Sequence, residues 1–178
     1  MSHSVVIFVN NQDRQVSFLG KALFALLERK YFVFTREESE YPTCPVDQTM
    51  SKLREIASHT DEDRLIICFG CRVFPDNIKS IEALADKNPD QNLVLLKRLK
   101  GSKTWMILDK KLTFENERIA DCGIFVLRKD ELIKSTQNNF NSYIRQLLVD
   151  QKLFPSFVDF WIFGNNQKAP TQRPMRRR

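Results

Sequence analysis

The side chains that could do chemistry are few and widely spaced. Four cysteines stand at Cys44, Cys68, Cys71 and Cys122, and the histidines are His3 and His59. Cys68-Phe69-Gly70-Cys71 is a C-x-x-C, the spacing of a redox dithiol or of half a zinc site. A redox dithiol needs its first thiol at a helix N-terminus, where the dipole lowers its pKa. Cys68 instead falls inside the apolar run Leu65-Ile66-Ile67-Cys68-Phe69, and only Cys71 reaches its end. A zinc site would need a second ligand pair, and the other cysteines and histidines are scattered singles. The thiols therefore read as buried structural groups, with a thiol redox protein as an alternative. Asp61-Glu62-Asp63 reads as a solvated loop before a strand, while Glu115, Glu117 and Asp121 could line a crevice.

Anion chemistry has equally little to draw on. Glycine occurs only at 20, 70, 101, 123 and 164, with no G-x-G, which removes the dinucleotide fingerprint and the P-loop. The net charge is +6, but residues 166–178 carry Lys168, Arg173, Arg176, Arg177 and Arg178 with no acid, leaving +1 for residues 1–165. That end reads as a basic, disordered tail following one domain over residues 1–165. Its alternative role is an anchor for nucleic acid, with Arg173, Arg176, Arg177 and Arg178 as the anion contacts. Fourteen phenylalanines fall mostly in apolar runs, as Phe8, Phe32, Phe69 and Phe125 do, and read as core rather than stacking surface. The start of the chain has an apolar run of only five residues, too brief for a signal peptide. No apolar stretch approaches the roughly 20 residues of a membrane span. A cytoplasmic location with free thiols is expected.

The elements that must position these residues follow from hydrophobic periodicity. Residues 5–9, 31–34, 65–69 and 92–96 are short apolar runs of strand character. Between them, residues 12–29 (Val16, Leu19, Leu23, Leu26, Leu27), 47–59 (Met50, Leu53, Ile56, Ala57) and 76–87 (Ile78, Ile81, Leu84, Ala85) keep helical spacing. A Pro-bearing polar loop spans 36–45. This βαβ alternation predicts a three-layer α/β/α fold, Rossmann-like, around a mostly parallel sheet. Further on, a hairpin is expected over 104–114, a strand at 123–127, a helix over 130–150 interrupted at 137–139, and a last strand at 157–163.

In succession these segments resemble the sugar nucleotidyltransferases (nucleotide-sugar pyrophosphorylases), which join a nucleoside triphosphate to a sugar 1-phosphate. Ser4-Val5-Val6-Ile7-Phe8-Val9-Asn10-Asn11 and Gln15-Val16-Ser17-Phe18-Leu19-Gly20 are similar to the family's second strand and helix. Glu37-Glu38-Ser39-Glu40-Tyr41-Pro42-Thr43-Cys44 sits where the family has a glutamate and a leucine-glycine-threonine turn. Leu65 to Cys71 resembles the strand ending in Gly-Asp. Trp105-Met106-Ile107-Leu108-Asp109 with Leu112-Thr113-Phe114-Glu115 resembles the tyrosine-glycine-valine hairpin. Ala120-Asp121-Cys122-Gly123-Ile124-Phe125-Val126-Leu127 resembles the family's asparagine-x-glycine-isoleucine-tyrosine strand. Phe140 to Leu148 and Asp159-Phe160-Trp161-Ile162-Phe163-Gly164 resemble its closing helix and strand.

The resemblance implies a nucleotidyltransferase-like (GT-A) sheet lacking its first strand and its G-x-G-T-R loop. It implies vestigial pocket positions at Gly70, Cys71, Glu115, Asp121, Gly123, Ile162 and Gly164. The family's Mg²⁺ would be held by aspartates where this chain has Cys71 and Ile162, and the sugar-phosphate Glu-Lys reads Glu115-Asn116. A thiol and an alkyl group do not replace hard oxygen ligands, so no Mg²⁺ or other cofactor and no pyrophosphorylase activity are expected. The expected protein is a truncated, degenerate pseudoenzyme with a binding or regulatory role. The resemblance leaves open an active fragment completed by upstream sequence or a partner chain. A sheet position left vacant beside residues 5–9 or 65–69 would favour a homo-oligomer or pairing with a full-length relative.

Overall fold

The computed structural model describes residues 3–10, 19–20, 22–70, 73, 77–98 and 119–158. The run Ser4–Val9 forms β1, and all six of its residues are buried. A strand without a polar face must lie inside a covered sheet. β1 indeed lies between β2 (Tyr31–Thr35) and β3 (Arg64–Phe69), parallel to both, with Val5 opposite Tyr31 on one side and Ile66 on the other. β4 (Asn92–Arg98), β5 (Ile119–Arg128) and β6 (Leu153–Phe157) complete a six-stranded sheet in the order β2-β1-β3-β5-β4-β6. β5 runs antiparallel between β3 and β4, and β6 is parallel to β4. The sheet is thus mostly parallel, as expected. No position is vacant beside β1 or β3, which each have a strand on both sides; among the described strands β2 and β6 are outermost.

Side chains alternate across the sheet with period two and feed two cores. Val5, Ile7 and Val9 of β1 and Ile124 and Val126 of β5 meet Leu19, Ala22 and Leu26 and the inner residues Ile78, Ile81 and Ala85 of α2 (Ile78–Lys87). Residues 19–20 and 22–25 are helical, the described part of the helix expected over 12–29. On the other face, Val6, Phe8, Ile67, Phe125 and Leu127 pack on α1 (Thr49–His59), α3 (Lys129–Lys134) and α4 (Phe140–Val149). Phe125 is fully buried, and burying such a side chain stabilises by about 1.5–3 kcal/mol. Helices on both faces give the three layers.

Several boundaries move for local reasons. α1 is entered through a 3₁₀ turn at Val46–Gln48, because Pro45 precedes it and Gln48 N–H bonds the Pro45 carbonyl. The interruption before α4 is wider than expected and is closed by Asn139, whose Oδ1 accepts from Ser142 N at 3.1 Å. Arg54 of α1 holds that connection by donating to Ser135 O (3.0 Å) and Gln137 O (2.7 Å). The last described strand is Leu153–Phe157, and the strand expected over 157–163 falls almost wholly outside the described residues. It contains Pro155, whose missing N–H is tolerated because β6 is outermost among the described strands. Phe24 (67 % exposed) and Phe154 (39 %) depart from the reading of phenylalanine as core. Residues 104–114 and 159–178, with the expected hairpin and basic tail, lie outside the described residues.

At the amino ends of the strands, polar groups are tied to backbone. Asn92, 1 % exposed, donates from Nδ2 to Glu131 Oε2 (3.0 Å) and Lys152 O (3.1 Å) and accepts from Arg128 N (2.8 Å). Buried Arg64 donates to Ala85 O at the end of α2 and to Gln91 O (2.7 Å). Lys129 Nζ donates to Thr60 O at 3.1 Å.

Candidate functional site

Open α/β sheets bind ligands outside the carboxyl ends of their strands, because loops there are free to vary on a rigid frame. In this chain β1, β2 and β3 deliver Asn10, Arg36 and Gly70 to that edge, and reversed β5 brings its start there. Gly70 has φ 91°, a left-handed conformation that suits glycine, and its N–H donates to Phe8 O at 2.7 Å. That bond ties the end of β3 to β1. Gly123 has φ 65°. It sits where the β4–β5 register slips: Val94 pairs Phe125 but Leu96 pairs Asp121, so three β5 residues face Leu95 alone. This is a bulge, a device that re-aims a strand next to a site. The pairing of Cys68 with Ile124 sets Gly123 beside the end of β3. Of the expected pocket positions, the fold therefore brings Gly70 and Gly123 to neighbouring strand ends and Asp121 to the same end of β5. The side chain of Asp121, and Cys71, Glu115, Ile162, Gly164, Arg173, Arg176, Arg177 and Arg178, lie outside what is described.

Arg36 completes this edge. Its N–H donates to Val9 O at 3.0 Å, fixing the end of β2 to the end of β1. Its Nη1 donates to Cys44 O (3.2 Å) and to Thr49 Oγ1 at the start of α1 (2.8 Å). The guanidinium lies over the Phe8 ring, 4.4 Å from its centroid, and 5.8 Å from that of Phe69. Those two rings stack at 5.6 Å with 18° between planes, forming a floor for the cation. Among the described residues Arg36 has no carboxylate partner. Burial pulls its pKa below the ordinary arginine value, with nearby Cys44 opposing, and burial likewise pushes the Cys44 thiol up. An arginine remains charged under such a shift, so the site holds a half-buried cation whose Nε and Nη2 have no hydrogen-bond partner among the described residues. The sequence showed Arg36 only as the first residue of a polar loop. A basic residue directly after a buried parallel strand was the available signal.

The other candidates are separated. Cys68 is fully buried in β3, in one core with Cys122, while Cys44 is buried in the other. His3 is 4 % exposed with its Nε2 3.5 Å from Asp86 Oδ1, whereas His59 is exposed with its ring Nδ1 beside Glu55 O at 2.8 Å. Asp61 and Asp63 are exposed, as expected of a solvated loop. Among the described residues no group of three or more His, Cys, Asp or Glu side chains is placed to hold a metal. Cys71 and Ile162, the positions that the resemblance implied for Mg²⁺, lie outside the described residues. Among the described residues no helix is long and apolar enough to cross a membrane.

No family model and no curated protein matches the chain. Solved structures do. A protein assigned as a glucose-1-phosphate thymidylyltransferase from Bacillus anthracis, solved in complex with sucrose, superposes with a TM-score of 0.63. That match is 11 % identical and covers 90 % of this chain and 89 % of that one. HddC from Yersinia pseudotuberculosis superposes with a TM-score of 0.53 at 11 % identity, covering 90 % of this chain and 92 % of that one. Identity this low speaks for the fold alone: the architecture is a nucleotidyltransferase-like α/β fold, as the order of its segments implied.

Proposed function

We propose that this chain is a non-catalytic nucleotidyltransferase-like domain that binds a phosphate-bearing ligand, a sugar phosphate or nucleotide, at the carboxyl edge of its sheet. The observation that carries the reading is Arg36, a guanidinium desolvated on the Phe8–Phe69 floor, without a carboxylate partner among the described residues. Arginine suits phosphate because its fork can donate two parallel charge-assisted hydrogen bonds. Gly70 lets the backbone turn close to the same point. Nucleotidyl transfer relies on stabilising charge on the transferred phosphoryl group, a role commonly filled by a metal and a phosphate cradle. This sequence has neither a G-x-G loop nor the acidic pair for Mg²⁺, so the reading is binding without turnover.

The test is to incubate the full chain with glucose 1-phosphate, each nucleoside triphosphate and Mg²⁺, following pyrophosphate, and to measure equilibrium binding of the same compounds. No pyrophosphate should form, and at least one phosphate ester should bind wild type and lose affinity in Arg36→Ala. Sustained pyrophosphate release would refute the inert reading. Self-association falls, on this reading, to the outer strands β2 and β6; β2 lies close in sequence to exposed Phe24 and Leu27, and its own Tyr31 is exposed. Sedimentation of wild type against Leu27→Lys tests that surface, and an unchanged monomer in both removes it.

A further inference from the structure

Phe69, Phe8 and Phe34 stand side by side on β3, β1 and β2, because Phe8 pairs with Phe69 on one side and with Phe34 on the other. Their rings stack in a row, with centroids 5.6 Å and 5.8 Å apart. Two cations rest on this row, held by the negative faces of the rings. The Arg36 guanidinium lies over Phe8, and Lys52 Nζ lies 5.5 Å from the Phe34 centroid. Helix α1 sets the second cation beside the first. Thr49, whose hydroxyl accepts from Arg36, and Lys52 are three residues apart on α1 and so share one helix face. The Cys44 thiol feels both positive charges, Arg36 more than Lys52, and feels the Asp47 carboxylate less than either.

Lys52 is only loosely committed to the protein itself. Its side chain keeps 28 % of its surface exposed, and its carboxylate partner is Glu55, 59 % exposed and 2.7 Å away one turn further along α1. An exposed pair of this kind contributes little, so an anion that also engages Arg36 can replace the glutamate. An arginine fork takes one phosphate group, and a compact ammonium beside it takes a second phosphate as a point charge. The rings beneath the two cations are 5.8 Å apart, a span that linked phosphates bridge. We propose that Lys52 is a second anion-binding residue of this edge, which thereby prefers a ligand with two linked phosphate groups to one with a single phosphate, and that such a ligand displaces Glu55 from Lys52. This inference rests on the Arg36 reading and goes beyond it, naming the second contact and the carboxylate that competes for it.

The experiment titrates the full chain by calorimetry, in EDTA, with inorganic phosphate and with inorganic pyrophosphate, for wild type, Lys52→Gln, Lys52→Arg, Glu55→Gln and Arg36→Ala. Wild type should prefer pyrophosphate, and Lys52→Gln should cut that preference about tenfold, the effect of one charge-assisted bond. Lys52→Arg should restore most of it. Glu55→Gln should tighten pyrophosphate binding about two- to fivefold, because it removes the competing carboxylate. Arg36→Ala should weaken both probes. Three results would each overturn the proposal: equal affinity of wild type for the two probes, a preference unchanged in Lys52→Gln, or a pyrophosphate affinity that does not rise in Glu55→Gln. Where phosphate still binds through Arg36, such a failure leaves the Arg36 reading standing, whereas indifference of both probes to Arg36→Ala removes both.

Discussion

The two edges of the sheet use polar side chains in opposite ways. At the amino edge Asn92 completes three hydrogen bonds, Arg64 caps the end of α2, and Lys129 reaches the Thr60 carbonyl. At the carboxyl edge Arg36 spends one nitrogen on protein acceptors and rests the remainder of its guanidinium over aromatic rings. The backbone differs as well, since both left-handed glycines, Gly70 and Gly123, lie at the carboxyl edge. The difference separates structural from functional polarity better than residue type does. Two arginines, both shifted downward by burial, differ in their partners: Arg64 gives both terminal nitrogens to carbonyls, whereas Arg36 gives Nη1 alone, to Cys44 O and Thr49 Oγ1. Arg64 Nε, His3 Nδ1 and Tyr143 Oη, buried and without a hydrogen-bond partner among the described residues, break the pattern at the amino edge.

The largest test of this contrast is Asn92→Leu. It strips three hydrogen bonds from a residue 1 % exposed and should cost about 3 kcal/mol in urea unfolding. A loss under about 1 kcal/mol would show that the amino-edge network is not structural. Arg36→Ala should do the reverse: phosphate-ester affinity falls about 10- to 100-fold, as for charge-assisted bonds, while stability falls by only about 1 kcal/mol. Equal damage to folding would put Arg36 on the structural side. Gly70→Ala introduces a Cβ at φ 91° and should cost about 1–2 kcal/mol by thermal unfolding.

The smallest effect concerns His3. Burial outweighs the Asp86 and Glu82 carboxylates facing it and, together with Arg64, holds its pKa below 6.5. The folded state then resists a proton that the unfolded chain accepts. Its contribution is therefore full above about pH 6.5 and is lost as pH falls through the lowered folded-state pKa. His3→Gln should flatten the acid limb of stability against pH, and an unaltered slope would assign that limb to other groups.

Much of this frame was legible in the residues. The runs at β1 to β4 declared themselves by continuous apolar character, and the predicted inner face of α1 (Met50, Leu53, Ile56 and Ala57) is buried in full. What local pattern cannot carry is pairing. That β5 inserts antiparallel between β3 and β4 depends on long-range contacts, and the expectation of a gap beside β3 failed for that reason. β6 was missed because Pro155 hid an outer strand behind the stronger apolar run at 157–163. Gly70 was visible as a glycine ending a strand. Arg36, Asn92 and Tyr143 were not, because an arginine in a polar loop, an asparagine before a strand and a tyrosine on a helix differ from ordinary ones only in their partners.

The central claim is that the carboxyl edge binds anions through Arg36 without a metal. Calorimetric titration of the full chain with nucleoside triphosphates and glucose 1-phosphate, in Mg²⁺ and again in EDTA, tests it most directly. The account predicts binding of at least one of these ligands with the same affinity in both buffers, abolished or weakened at least tenfold by Arg36→Ala. Binding that demands Mg²⁺, or that is indifferent to Arg36, would contradict it.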